Sequence, residues 1–271
     1  MSETRFADLR ARVLSALVMV AVGLAALWLG GHAFAALAIV LSGLMGWELY
    51  RMMAPDAPPA RAEAHGVAAA IVVAVFSYTW GGWVSVLGLL AAAALIATRV
   101  PRDGRIFGAY LALILLAGHG LIALRWDYGL EWVLWLILIV IGSDVAGYFA
   151  GRIVGGPKFW PKVSPKKTWS GTVAGWVMGA LIGTAFMPIL GAGAGLVVLS
   201  ILLALAGQMG DIAESAIKRR VGVKDSSNLI PGHGGVLDRF DAMIAVALVA
   251  LLMANLGLLR AVAGVAPGTA G

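Results

Sequence analysis

The chain has 271 residues, of which 61% are hydrophobic and 13% charged, with a formal net charge of +6. This apolar content excludes a disordered chain, and so few charges exclude an ordinary soluble globule, where roughly a quarter of residues are charged. With no cysteine, disulfides, thiolate metal sites and Cys nucleophiles are excluded too, which leaves a polytopic membrane protein.

Charge-free runs, taken in chain order, give the predicted spans. Residues 13–29 and 34–47 come first, broken by Gly30-Gly31-His32. Residues 66–98 carry no charge, too long a run for one span of about 20 residues, and Gly81-Gly82 divides it into two short ones. Residues 106–124 and 133–150 follow, the latter holding Asp144. Residues 171–210 give two spans breaking near 188–195, and residues 242–259 close the series. The expected fold is therefore all-α, a polytopic integral membrane protein of about nine transmembrane helices. The first run is read as a retained helix rather than a signal peptide, because the segment before it is long and the run has the length of a full span. Two regions are expected. Residues 1–131 hold about five spans, and residues 132–271 form a catalytic region with cytoplasmic loops at 152–170 and 210–241.

Basic residues fix the expected orientation. With a cytoplasmic N-terminus and alternating spans, 18 of the 20 Lys and Arg fall inside, and only Arg125 and Arg260 fall outside. All six Lys lie between 158 and 224, while every other basic residue is Arg. Lys gathered in two loops suits a phosphate site; membrane anchoring alone accounts for the same residues. The charge thus points to anionic lipid or a phosphorylated substrate and not to nucleic acid.

The two loops concentrate the chemistry. In the first, Ser164-Pro165-Lys166-Lys167-Thr168 puts two ammonium groups and two hydroxyls just before a span. The N–H groups of a helix starting there would complete a phosphate cradle. In the second, Asp211, Glu214, Ser215 and Lys218 share one helical face. Pro231-Gly232-His233-Gly234-Gly235 then interrupts regular structure, and Asp238-Arg239-Phe240-Asp241 lead into the last span. Asp144 lies seven residues before Gly151, roughly 10 Å into its helix at about 1.5 Å per residue. A carboxylate there is a functional candidate by default. Carboxylates holding Mg²⁺ beside bases holding phosphate would explain both signs of charge.

Residues 215–241, from Ser215-Ala216-Ile217-Lys218-Arg219 through Lys224-Asp225 to Pro231-Gly232-His233-Gly234-Gly235-Val236-Leu237-Asp238-Arg239-Phe240-Asp241, resemble the signature of phosphatidate cytidylyltransferases throughout. Ser164-Pro165-Lys166-Lys167-Thr168-Trp169 with Gly171 resembles the second motif of that family, and Asp144 with Ala146-Gly147-Tyr148 and Gly151-Arg152 a third. Ser170 departs from it, since many relatives carry Glu or Gln there. The N-terminal half is similar only as a hydrophobic multi-span region.

The resemblance implies CMP transfer from CTP to phosphatidic acid, giving CDP-diacylglycerol and pyrophosphate with Mg²⁺, at the cytoplasmic face of the cell membrane. It implies catalytic roles for Lys167, Ser215, Lys218, Arg219 and Asp238. Substrate-binding roles go to Ser164, Lys166, Thr168, Lys224, Gly234, Gly235 and Arg239, and to His233 on its Gly-rich setting. Asp211 and Asp238 are the first-choice metal ligands, with Asp144 and Asp241 second. A second metal ion and a homodimer are left open. A relative acting on another lipid, such as a CDP-archaeol synthase or polyprenol kinase, is the nearest alternative. A transporter or channel would spread ionisable residues along several helices, and a lipid-binding scaffold would leave the paired acids and bases without a purpose.

Overall fold

A computed structural model describes residues 2–100, 102–161 and 163–264. Lys162, counted above toward the inside, lies outside the described residues. The chain is a predominantly helical, multi-pass membrane protein. Its helices are α1 (Ser2–Leu29), α2 (Gly31–Met53), α3 (Pro59–Thr79), α4 (Gly82–Ala97), α5 (Gly104–Asp127), α6 (Leu130–Ile153), α7 (Trp169–Phe186), α8 (Gly195–Val221), α9 (Leu237–Asn255) and the short α10 (Leu258–Val262). The apolar runs read from the sequence fall on α1 to α9, the last of them, 242–259, running past the end of α9 into α10. Six of these helices (α1, α2, α3, α5, α6 and α8) are long and apolar enough to cross a membrane by length and composition, and α4 is a shorter apolar helix. On α1, Leu14, Leu17, Leu24 and Trp28 are exposed, as side chains against lipid would be.

The boundaries follow local chemistry. Pro59 opens α3 at a position whose N–H has no helical partner in any case. The break between α7 and α8 falls at Pro188 and the glycines after it. One departure from an all-α fold lies in the first loop, where β1 (Lys158–Trp160) and β2 (Ser164–Thr168) pair antiparallel. Pro165 lacks an N–H, has a fixed φ and keeps Ser164 extended, so this stretch cannot continue as helix.

The chain forms two compact units. One takes residues up to Ile122 together with Lys218–Phe240; the other takes Ala123–Ile217 with residues from Asp241 onward. In the first, Gly66 of α3 lies so close to α2 that a Cβ would stand 2.9 Å from the Gly43 carbonyl oxygen and from Trp47 Cβ. Small residues at such crossings let backbones approach where lipid supplies no hydrophobic drive between helices. Tyr50, Leu49, Phe107 and Leu111 fill this core.

In the second unit, α6, α7 and α8 pack through glycine in the same manner. A Cβ on Gly179 would stand 2.9 Å from the Ser200 carbonyl oxygen. Trp135, fully buried, donates its indole N–H to Ser200 Oγ at 3.0 Å. Gly179→Val is expected to force α7 from α8 and to cost about 1–3 kcal/mol, read as a lower thermal midpoint of the detergent-solubilised protein.

Candidate active site

The two loops build two polar clusters, one in each compact unit. In the unit holding α6 to α8, the ribbon delivers its side chains to α8. Trp169 N–H donates to the Pro157 carbonyl at 3.0 Å, and the Phe159 and Trp169 rings meet edge to face at 4.8 Å. Thr168 caps α7 by accepting from Gly171 N–H at 3.2 Å. Ser170 donates its hydroxyl hydrogen to the Gly155 carbonyl, so the 3.0 Å contact between Thr168 and Ser170 hydroxyls is donated by Thr168. Ser170 thus ties the turn after α6 to the start of α7. At this helix start, where a phosphate cradle is expected, the Trp169 and Gly171 N–H groups have partners in the chain.

Lys167 turns the other way. Its Nζ lies 2.6 Å from Asp211 Oδ2 and donates to the Gln208 carbonyl at 3.1 Å. Ser215, one turn on from Asp211, donates to Asp211 Oδ1 at 3.3 Å. Asp144 on α6 lies within electrostatic range of both Lys167 and Asp211. Gln208, buried, braces the cluster: its Oε1 accepts from Trp176 Nε1 at 3.0 Å and its Nε2 donates to the Thr172 carbonyl at 3.1 Å. At the start of α9, the Asp241 backbone runs so close to Gly210 that no side chain fits there. Lys166 is exposed and Ser164 half-buried on the ribbon.

Two carboxylates facing one ammonium leave a net negative set of oxygen donors, the chemistry that Mg²⁺ takes. Asp144 and Asp211 are the carboxylates of this cluster that could hold one. Among the described residues no three Asp, Glu, His or Cys side chains converge as a complete set, so further ligands would come from water or substrate phosphate, as is usual for Mg²⁺.

The second cluster lies in the unit holding α2. Pro231 and Gly232, the latter at φ 74°, sit at the corners of a turn closed by His233 N–H to the Ile230 carbonyl at 2.9 Å, the pattern of a type II turn. His233 Nδ1 meets Ser15 Oγ of α1 at 2.9 Å. Asp238, in the first turn of α9, is nearly enclosed. It accepts from Lys218 Nζ at 2.8 Å, from Ser226 N–H at 2.9 Å, from Ser226 Oγ at 2.9 Å and from Gly235 N–H at 2.7 Å. Its reach back to Gly235 is that of the acid in a capping box. Burial alone would push this carboxyl up, but the Lys218 ammonium and the Gly235 and Ser226 N–H groups together hold it below the usual carboxylate range. To take a cation, Asp238 would exchange at least one of these donors for it.

Gly234, at φ 84°, has its Cα turned so that a Cβ would stand 2.7 Å from Asp238 Oδ2, and a Cβ on Gly235 would strike Ser226 and Glu48. Both glycines therefore admit groups of this protein itself, where the sequence suggested room for a ligand. Arg219, Lys224 and Arg239 are exposed.

Glu48 was not singled out from the sequence. It is fully buried on α2 and accepts hydrogen bonds from the same loop. An acid directly after the apolar run 34–47 was the available signal, but nothing local says what it meets.

A profile of the cytidylyltransferase family matches residues 10–256. The chain is 35% identical over 249 residues to a phosphatidate cytidylyltransferase of Brucella suis, covering 89% of this chain and 91% of that protein. Shorter matches join it to phosphatidate cytidylyltransferases of Bacillus subtilis, 38% over 125 residues (44% of this chain, 46% of that one), and Helicobacter pylori, 42% over 132 residues (45% and 46%). The chain belongs to the cytidylyltransferase family. The family resemblance read from its three motifs is borne out.

The pH dependence of Asp238 is a direct check on this geometry. A carboxyl with a lowered folded-state pKa stabilises the fold above its unfolded value of about 3.9, and that stability disappears as pH falls through the folded value. The thermal midpoint of the parent should exceed that of Asp238→Asn at neutral pH, and the two should converge as the pH drops below about 4.

Proposed function

We propose that the chain is a phosphatidate cytidylyltransferase with the two clusters as its working groups. The observation carrying this reading is that two lysines of the family motifs are each held by a motif or neighbouring carboxylate within their own compact unit, Lys167 by Asp211 and Lys218 by Asp238.

An oxygen of the phosphatidate phosphate attacks the α-phosphorus of CTP. The new P–O bond forms as the bond to the bridging oxygen breaks, and pyrophosphate leaves with the electron pair. Such a transfer needs alignment and charge neutralisation more than covalent help from the protein. A bound Mg²⁺ would neutralise triphosphate oxygens; Asp144, Asp211 and Asp241 are candidates to hold one in their unit, and Asp238 is a candidate ligand in the other. Lys167, released from Asp211 toward phosphate, supplies positive charge with a mobile stem. Lys218 and Arg219 offer charge to the departing pyrophosphate, and Ser215 orients Asp211. Lys166, Ser164, Lys224, Arg239 and His233 contact substrate at the rim; Thr168 holds the start of α7, and Gly234 and Gly235 shape the loop. Residues 132–271 carry most of this machinery.

We place the N-terminus in the cytoplasm, with nine spans and both loops on that side, where CTP is available and the lipid phosphate lies at the interface. Because the chain has no Cys, single cysteines can report this directly. Cysteine at Lys224 should react with an impermeant maleimide only in inside-out vesicles, and cysteine at Arg260 only from the opposite face.

The activity test uses purified protein, labelled CTP, phosphatidate and Mg²⁺, scored for a labelled lipid product. Asp211→Asn and Lys167→Met should each lower kcat by about 10²–10³, the usual cost of removing one charged group that acts in the transition state. Turnover within about twofold of the parent would remove that residue from the mechanism.

A further inference from the structure

We propose that Glu48 is a positioning residue for CMP transfer, acting through the signature loop and not on substrate. The inference rests on the reading above, in which that loop belongs to the working groups, and it adds a residue outside all three motifs.

Glu48 is fully buried, with 0% of its surface exposed. A carboxylate there must find donors, and it finds them on both sides of one loop. Oε1 accepts from Ser227 Oγ at 2.6 Å and from Val236 N–H at 2.9 Å. Oε2 accepts from Leu237 N–H at 2.7 Å. The two N–H groups lie at the start of α9, where backbone donors have no helical acceptor and the helix dipole favours a negative charge. Gly235, just before them, has no room for a side chain because Glu48 and Ser226 occupy that space.

The consequence for the site passes through Ser226. Its Oγ lies 2.9 Å from Asp238 Oδ2 and 3.4 Å from Glu48 Oε2, and its one hydroxyl hydrogen goes to the nearer oxygen. Its N–H also serves Asp238. Glu48 therefore pins the residues immediately before and after the loop, Ser227 and Val236, while Asp238 gathers the loop from inside. Moving Glu48 would shift the frame in which Asp238, Lys218 and the glycines are held. A donor-free group is required: the amide of a Gln would aim N–H at N–H along at least one of these bonds.

The test compares Glu48→Gln and Glu48→Asp with the parent, as full-length protein in detergent, with turnover expressed per folded molecule. Glu48→Gln should lower kcat about 10- to 100-fold, the scale expected when reacting groups lose alignment by about 1 Å. Glu48→Asp, which keeps an acceptor-only carboxylate, should recover part of the loss. A space-filling role gives the reverse order, because Gln matches the shape of Glu better than Asp does. Hydrogen exchange on the peptide covering residues 226–240 supplies a second readout that needs no substrate: Glu48→Gln should speed exchange there selectively.

Turnover of Glu48→Gln within about twofold of the parent overturns the proposal, as does an order in which Gln exceeds Asp. If Glu48→Gln does not fold, Ser227→Ala removes one of the same bonds, and unchanged exchange and turnover in that variant are equally fatal. A parent that makes no lipid product counts against the functional reading itself; exchange unaltered by the substitutions then overturns the clamp as well.

Discussion

Charge within an apolar chain has to be neutralised where it stands, and the rest of this structure depends on how that is done. The least exposed carboxylates and ammonium groups of the C-terminal motifs are met by a specific donor or counter-ion. Asp238 collects an ammonium, a hydroxyl and two backbone N–H groups. Asp211 takes Lys167 and Ser215. Glu48 is served by two helix-start N–H groups and the Ser227 hydroxyl. Both loops are thereby tied to the helices that flank them. This satisfies the demand of phosphoryl chemistry for groups fixed in advance.

Helix starts show the same rule from the donor side. A free helix N-terminus is an anion site, but at α7 and α9 the chain supplies its own acceptors. Thr168 and the Pro157 carbonyl serve α7; Asp238 and Glu48 serve α9. These helix-start N–H groups are therefore already engaged within the chain.

How much of this was legible beforehand differs by kind of interaction. The helices were legible because a membrane segment announces itself by length without charge, and Gly81-Gly82 and the break near residue 188 mark real boundaries. The face shared by Asp211 and Ser215 was legible because helical spacing is local. The ribbon of residues 158–168 was not, since a few residues around Pro161 and Pro165 give no period to detect. The occupation of Thr168 as a cap was also hidden, because a hydroxyl before a helix reads equally as a ligand for phosphate. Glu48 was the least legible: its partners stand 179 to 189 residues away, and one acid at the end of an apolar run looks like the edge of a span.

That separation also bears on how the protein is made. The carboxylate of Glu48 leaves the ribosome 188 residues before the N–H of Val236 that it accepts from. At about 5–20 residues per second, synthesis leaves this acid without that partner for roughly 10 to 40 seconds. During that interval Glu48 lacks the donors that surround it in the finished fold, and water or headgroups at the end of α2 must serve it. Ribosome-bound chains stopped before residue 226 should therefore carry a Glu48 more open to water than in the finished protein.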